Sequence, residues 1–318
     1  KNLYFCDVTT GLKIPAASEL KDLEWSSTSC PFTWELQGVH NAYPDGTEIM
    51  SATISSNRKY AATVDSFGKL KLRNFPVQSS TYGAKVHRAH MAMGAKVRFL
   101  PGTNEDGSDV PDKTLLTVGG KDRCILQWKV QDADGDKDAT AYDAKQTDGN
   151  VATEMMYPLD DPKAADEEEK VGEDAAPGEE EDQFSAVKPW VGSIVEPDQP
   201  PPHDVLKPDC EALLEHVYGY NSQSSRNNLF YTSNTEIVYP AATVGVIYNK
   251  STHTQKFFRG HSGPIISLAI DESRKYVATG ESGSTPVVKL WSAGTGMEIC
   301  TMPRVHMRAI PWVAFSSD

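Results

Sequence analysis

One template recurs along this chain: a histidine, a short apolar strand, a strand of small residues, a tight polar turn, and a strand closing on an aromatic residue. Its clearest copy begins at Gly260-His261, passes through Ile265-Ile266-Ser267-Leu268-Ala269-Ile270 and Tyr276-Val277-Ala278-Thr279-Gly280, and closes at Trp291. A second copy runs from His90 through Ala95-Lys96-Val97-Arg98-Phe99-Leu100 and Leu115-Leu116-Thr117-Val118 to Trp128. There Asp122 occupies the turn, and residues 101–113 are expected as an inserted surface loop. A third copy, Ile49–Ile54, Tyr60–Val64 and Lys69–Leu72, keeps the strands, with Gly68 near the position of the turn acid and Asn74 or Phe75 in place of Trp. Strands this short, separated by turns this polar, build antiparallel sheets.

Such a sheet buries its faces only by stacking on its neighbours, so repeated copies imply the blades of a β-propeller. Leu3–Asp7 followed by Thr10-Gly11 reads as the outer end of a blade already begun, and His306–Phe315 as the first strand of another. The segment is therefore expected to be part of a longer polypeptide.

Charge divides the chain. Residues 131–186 hold 19 Asp or Glu against 4 Lys, a net of −15, whereas the whole chain is at −13. The remainder is near neutral, with 27 basic and 25 acidic residues, which excludes the strong basic field of a nucleic-acid binder. The acidic stretch has few aromatic or β-branched side chains and cannot bury enough surface to offset chain entropy, so it reads as a disordered linker. A proline segment, Pro197–Pro202, continues it.

No apolar run approaches the ~20 residues of a spanning helix, and Lys1–Phe5 lacks a secretory layout. Five cysteines, Cys6, Cys30, Cys124, Cys210 and Cys300, stand far apart with no CxxC pair, which suggests neither a disulfide framework nor a zinc cluster. These features predict a soluble protein of the cytoplasm.

Residues 208–249 carry short runs rich in Tyr, Val and Ile: Val217-Tyr218-Gly219-Tyr220, Ile237-Val238-Tyr239 and Val246-Ile247-Tyr248. This wording resembles the HELP motif of the echinoderm microtubule-associated protein-like (EMAP-like) family, and the copies ending at Trp128 and Trp291 resemble WD repeats. Asp22–Trp25, Cys30-Pro31, Asp45-Gly46-Thr47, Ser56–Lys59 and Gly119–Cys124 also resemble late blades of such a core. The WD resemblance implies that His90, Thr117, Asp122 and Trp128 form a structural hydrogen-bonded network. It implies an incomplete network in the copy ending at Trp291, where Ser282–Pro286 stand in the turn without Asp.

The expected architecture is all-β. Residues 1–130 would form late WD40-type blades of an upstream propeller, 131–186 the acidic linker, 187–249 the Pro-rich segment and HELP-type block, and 250–318 the first blades of a downstream propeller. Blades preceding a HELP block imply the junction of two tandem units. By that resemblance the chain is a non-catalytic protein that binds tubulin or neighbouring lattice proteins, in the cytoskeleton and, in some relatives, the ciliary or flagellar axoneme. The rival is a WD40 scaffold for signalling or transport with only indirect microtubule contact. No cofactor, metal, nucleic-acid or membrane partner is expected, and no residue is singled out for contact with a partner.

Other chemistry fares poorly. His203, Cys210 and His216 match no structural zinc spacing and lack a fourth ligand. Asp132, Asp134, Asp136, Asp138 and Asp143 imitate a calcium loop, but Lys137 stands where the sharp turn needs Gly, and Asp143 replaces the bidentate Glu. No GxSxG, GxGxxG or GxxxxGK[ST] signature occurs. His87 is expected at the surface, and Tyr218 and Tyr239 in the core.

Overall fold

A computed structural model describes residues 5–14, 17–23, 25, 30–40, 47–91, 93–103, 109–132, 194–221, 225–303 and 306–316. Most of the acidic stretch, including Asp134, Asp136, Asp138 and Asp143, lies outside them. Two compact units are defined. In the smaller, strand β1 (Phe5–Cys6) pairs with β2 (Lys13–Ile14). Asp7 accepts bonds from the Thr9 and Thr10 amides in the connecting turn. Phe5 stacks on Trp25, and Lys21 bonds Asp198 at 2.5 Å.

The larger unit holds four antiparallel sheets of four strands each. The first comprises β3 (Ile49–Ile54), β4 (Tyr60–Asp65), β5 (Lys69–Asn74) and β6 (Ala84–Arg88). The second comprises β7 (Gly94–Thr103), β8 (Asp109–Gly119), β9 (Ile125–Asp132) and β10 (Cys210–Tyr218). The third runs β11 (Phe230–Tyr231), β12 (Ile237–Ala241), β13 (Val244–Asn249) and β14 (Thr254–Phe258). The fourth runs β15 (Ile265–Ile270), β16 (Tyr276–Glu281), β17 (Val288–Ser292) and β18 (Glu298–Met302). Each is a four-stranded meander, the shape of a propeller blade. Among the described residues no helix is long and apolar enough to cross a membrane.

The second blade contains the chain's largest detour. Its fourth strand comes from the HELP-type block, with Cys210 opposite Asp132 and Tyr218 opposite Ile125. Residues 133–209 are thus inserted between two adjacent strands of one sheet. Before reaching β10 the chain crosses the first blade: His203 stacks on Tyr82, the Asn74 amide donates to Asp204, and Tyr60 bonds Asp209. The expected loop at 101–113 also differs. β7 and β8 extend beyond the blade as a hairpin, pairing Gly102 with Val110 and Thr103 with Asp109.

Alternation sets the core. Ala62, Val64, Leu70 and Leu72 of the first blade, Val97, Leu115, Leu126 and Trp128 of the second, and Val244 and Val246 of the third form one buried cluster. A second cluster joins Val238, Ile247 and Phe258 to Leu268, Val277 and Trp291. Consecutive blades are therefore welded by apolar faces. The tyrosines of the HELP-type block divide differently from expectation. Tyr239 and Tyr248 pack on the core, but Tyr218 and Tyr220 are about half exposed, because Tyr218 alternates with the buried Val217 on a blade's outermost strand and Tyr220 lies beyond its end. Tyr218→Ala is accordingly expected to shift the urea midpoint by less than about 1 kcal/mol equivalent, the range of surface replacements.

Candidate functional site: the blade networks

In the second blade the β8–β9 turn brings Asp122 back under His90. His90 Nδ1 lies 2.8 Å from Asp122 Oδ2, and His90 Nε2 lies 3.0 Å from Thr117 Oγ1. Trp128 Nε1 donates to the same Thr117 oxygen at 3.0 Å. Proton accounting fixes the chain: Nδ1–H faces the carboxylate, so Nε2 accepts from the Thr117 hydroxyl, which in turn accepts from the indole. Asp122 also accepts from the Met91 and Cys124 amides. A Cβ at Gly119 would overlap the Asp122 carboxylate, so the space there is reserved for the acid. The four residues expected from sequence are thus brought together and sealed from water.

The fourth blade has the same network complete, contrary to expectation. Its acid is Glu281, two residues beyond Thr279 at the end of β16, and not a residue of the following turn. Its longer side chain spans the gap: Glu281 Oε2 stands 3.1 Å from His261 Nδ1 and accepts from the Ser262 and Gly263 amides at 2.8 and 2.7 Å. The other carboxylate oxygen takes the Val287 amide at 3.2 Å. Thr279 Oγ1 lies 2.7 Å from His261 Nε2 and receives Trp291 Nε1 at 3.0 Å.

Burial alone would raise the Glu281 pKa, but the His261 bond, the Gly263 and Ser262 amides and the His261 charge together hold it below its ordinary 4.5. Its stabilising effect is therefore fully present above pH 4.5 and lost as pH falls through the lower folded value. Glu281→Ala leaves His261 and three amides without their acceptor and is expected to cost about 3 kcal/mol or more in chemical unfolding at pH 7. Glu281→Gln, which keeps one acceptor oxygen, should lose less.

The first blade keeps the frame and changes the contents. Thr63 and Asp65 stand two residues apart, as Thr279 and Glu281 do. Strand register places Arg73 opposite Ala61, just as Trp128 is opposite Leu115 and Trp291 opposite Val277. The position assigned to Asn74 or Phe75 therefore belongs to Arg73. Gly68, expected near the position of the turn acid, does not mark it: the acid is Asp65, whose Oδ1 accepts from the Phe67 and Lys69 amides, with Lys71 Nζ 3.2 Å from Oδ2. Arg73 is buried, and burial lowers its pKa against the opposing attraction of Asp65.

The remaining candidates fall apart spatially. Cys210 is buried at the head of β10, where burial and Asp209 push its thiol up to about 12, a state unsuited to metal ligation. His216 instead stacks on Tyr218 with ring centroids 4.3 Å apart, and His203 on Tyr82. Among the described residues no cluster of three His, Cys, Asp or Glu could hold a metal ion. His87 corrects an expectation: it is 3% exposed, because on β6 it shares a face with its partner Leu70 and turns inward. Neither ring nitrogen has a hydrogen-bond partner.

Four-stranded antiparallel blades tied by His–Thr–acid–Trp networks define a WD40-type β-propeller protein. Within that class, two parts of the chain match models of the EMAP-like family. Residues 1–130 match the family described as the echinoderm microtubule-associated protein second beta-propeller, and residues 207–246 match the HELP motif. The chain is 38% identical over 141 residues to the ciliary WD repeat-containing protein ctxp80 of Euplotoides octocarinatus, covering 39% of this chain and 19% of that protein. It is 28% identical over 198 residues to echinoderm microtubule-associated protein-like 4 of Xenopus laevis, covering 59% and 20%. The human protein of that name is 30% identical over 129 residues, covering 40% and 12%. The chain thus spans a fifth or less of the length of these relatives. The networks hold the blades in register.

Proposed function

We propose that this chain is part of a non-catalytic microtubule-associated protein whose blades bind tubulin or neighbouring lattice proteins, in the cytoskeleton and in the ciliary or flagellar axoneme. The observation that supports it is the pairing, in one sheet, of the EMAP-like propeller segment with the first strand of the HELP motif. The similarity to a ciliary WD repeat protein favours the axoneme. A second-propeller segment preceding a HELP motif supports placing the chain at the junction of two tandem units, the second beginning within 187–318. Tandem units gain avidity by engaging several lattice sites at once.

Co-sedimentation of the intact protein with polymerised tubulin, with no other protein present, tests the reading. Pelleting at low salt that declines as salt screens the contact is expected. A protein that stays in the supernatant at low salt would instead be a scaffold touching microtubules through others.

A further inference from the structure

Where one blade follows another in a stack, the later seals a face of the earlier. On the first blade the sealed positions are Ala62 and Val64 of β4 and Leu70 and Leu72 of β5, all 0% exposed. Strand pairing carries these positions to the second blade. Thr63 and Thr117 correspond, so Ala62 answers to Leu116 and Val64 to Val118; Leu70, the partner of Val64, answers to Ile125, the partner of Val118. Tyr218, opposite Ile125 on β10, extends the row. The residues are again apolar or aromatic, yet among the described residues nothing seals them. Leu116 and Val118 are half-buried, Ile125 is 40% exposed and Tyr218 48%.

The third blade does not take this face. It lies on the opposite one, where Cys124, Leu126 and Val217 share a buried cluster with Val244 and Val246, and where the Arg259 guanidinium stands 5.4 Å from the centre of the Trp128 ring. Gln255 fastens it there, accepting from the Val217 amide at 2.8 Å and donating to the Val217 carbonyl at 3.1 Å. The first blade packs on that same face through Leu70 and Leu72. Both sequence neighbours of the second blade are thus on one side of it, and an apolar face is left over. That face is held in shape: the Tyr218 hydroxyl donates to Gln127 Oε1 at 3.0 Å, Gln127 Nε2 donates to Glu215 at 2.8 Å, and the His216 ring stacks on Tyr218.

We infer that the open face of the second blade is the seat of a further blade of the same polypeptide, supplied by sequence preceding Lys1. It lies with its tryptophan-bearing face inward, as Trp128 lies toward the first blade and Trp291 toward the third. A second copy of this chain has no such face to offer, because Trp128 and Trp291 are both fully buried. The inference rests on reading the chain as the junction of two tandem units. A propeller has about 4–8 blades, and the segment that matches a second propeller contributes to the two blades that stack here. The second blade therefore closes one ring, while its other face carries the blade that opens the next.

Hydroxyl-radical footprinting read by mass spectrometry tests this, on the 318-residue chain alone and on the longer polypeptide. In the chain alone, Ile125 and Tyr218 should oxidise as readily as the similarly exposed Tyr231. In the longer polypeptide both should slow by about tenfold or more, since the equivalent positions of the first blade are fully buried. Lys129, exposed on the same face, should cross-link to sequence preceding Lys1. Ile125→Asp should lower the thermal midpoint of the longer polypeptide and leave that of the 318-residue chain unchanged.

Undiminished oxidation in the longer polypeptide overturns the inference, as does an equal effect of Ile125→Asp on both proteins. Protection that disappears on dilution, or cross-links that join Lys129 only to a second molecule, would assign the face to another copy or partner and overturn it as well. No tubulin is present in any arm. A failed co-sedimentation thus leaves the closed ring standing, and an open face in the longer polypeptide leaves the tubulin contact standing.

Discussion

Trp291→Ala is expected to lower the unfolding free energy by about 3–5 kcal/mol, the range for emptying a buried aromatic site. Trp291 is fully buried, and its ring stacks on Phe258 at 4.8 Å between centroids and 7° between planes. It is also a donor, holding Thr279 Oγ1 in the orientation that serves His261. One substitution therefore removes a packing block shared by two blades and loosens a hydrogen-bonded chain. Trp291→Phe separates the effects: the stack survives and the N–H is lost, so about 1–2 kcal/mol should go, as for one buried hydrogen bond. Since whole domains are stable by only about 5–15 kcal/mol, the Ala variant should show a clear fall in denaturant midpoint. A midpoint within error of the parent would mean that Trp291 is not buried in solution.

His87 governs the response to acid. Burial first, then the Arg259 and Lys85 charges, push its imidazole down to about 3 from an ordinary 6.5. Between these values the unfolded chain takes up a proton that the native ring refuses, so stability falls as pH drops from 6.5 toward 3. The slope contributed by one such group is about 1.4 kcal/mol per pH unit, which makes the loss about 3 kcal/mol at pH 4.5. His87→Leu removes both the proton uptake and two unpaired buried nitrogens. Urea unfolding at pH 7 and pH 4.5 should show the parent losing markedly more stability than the variant over that interval. Equal losses in the two proteins would refute a buried, neutral His87.

Much of this fold can be read from its residues, because blades are local objects. The network of His90, Thr117, Asp122 and Trp128 is legible only through the resemblance of their copy to a WD repeat, whereas the strands around them follow the two-residue alternation of a half-buried sheet. Equivalent chemistry in unequal residues is harder to see. Glu281 is hidden because it lies in the strand before the turn, where one extra methylene lets it reach His261 from the strand end. Arg73 escaped because only the pairing of β4 with β5 shows that it, and not Asn74 or Phe75, sits where Trp sits elsewhere. His87 and Tyr218 exchanged places with expectation for one reason: the parity of an outer strand decides burial, and residue type does not. The pairing of β9 with β10 depends on a contact across the whole acidic stretch, and local pattern carries no trace of it.

That last pairing has a consequence for how the protein is made. When β9 leaves the ribosome its outer edge has no partner, and β10 follows only after residues 133–209 have been synthesised, roughly 4 to 15 seconds later at ordinary elongation rates. For that interval the second blade is a three-stranded sheet with an open row of amides and carbonyls, the kind of edge that recruits strands from other nascent chains. Ring closure over so long a segment is only modestly costly at equilibrium, since the entropy grows with the logarithm of length. The hazard is thus one of timing, and a pause in translation just after Asp132 would be the moment at which this protein is most prone to mispair.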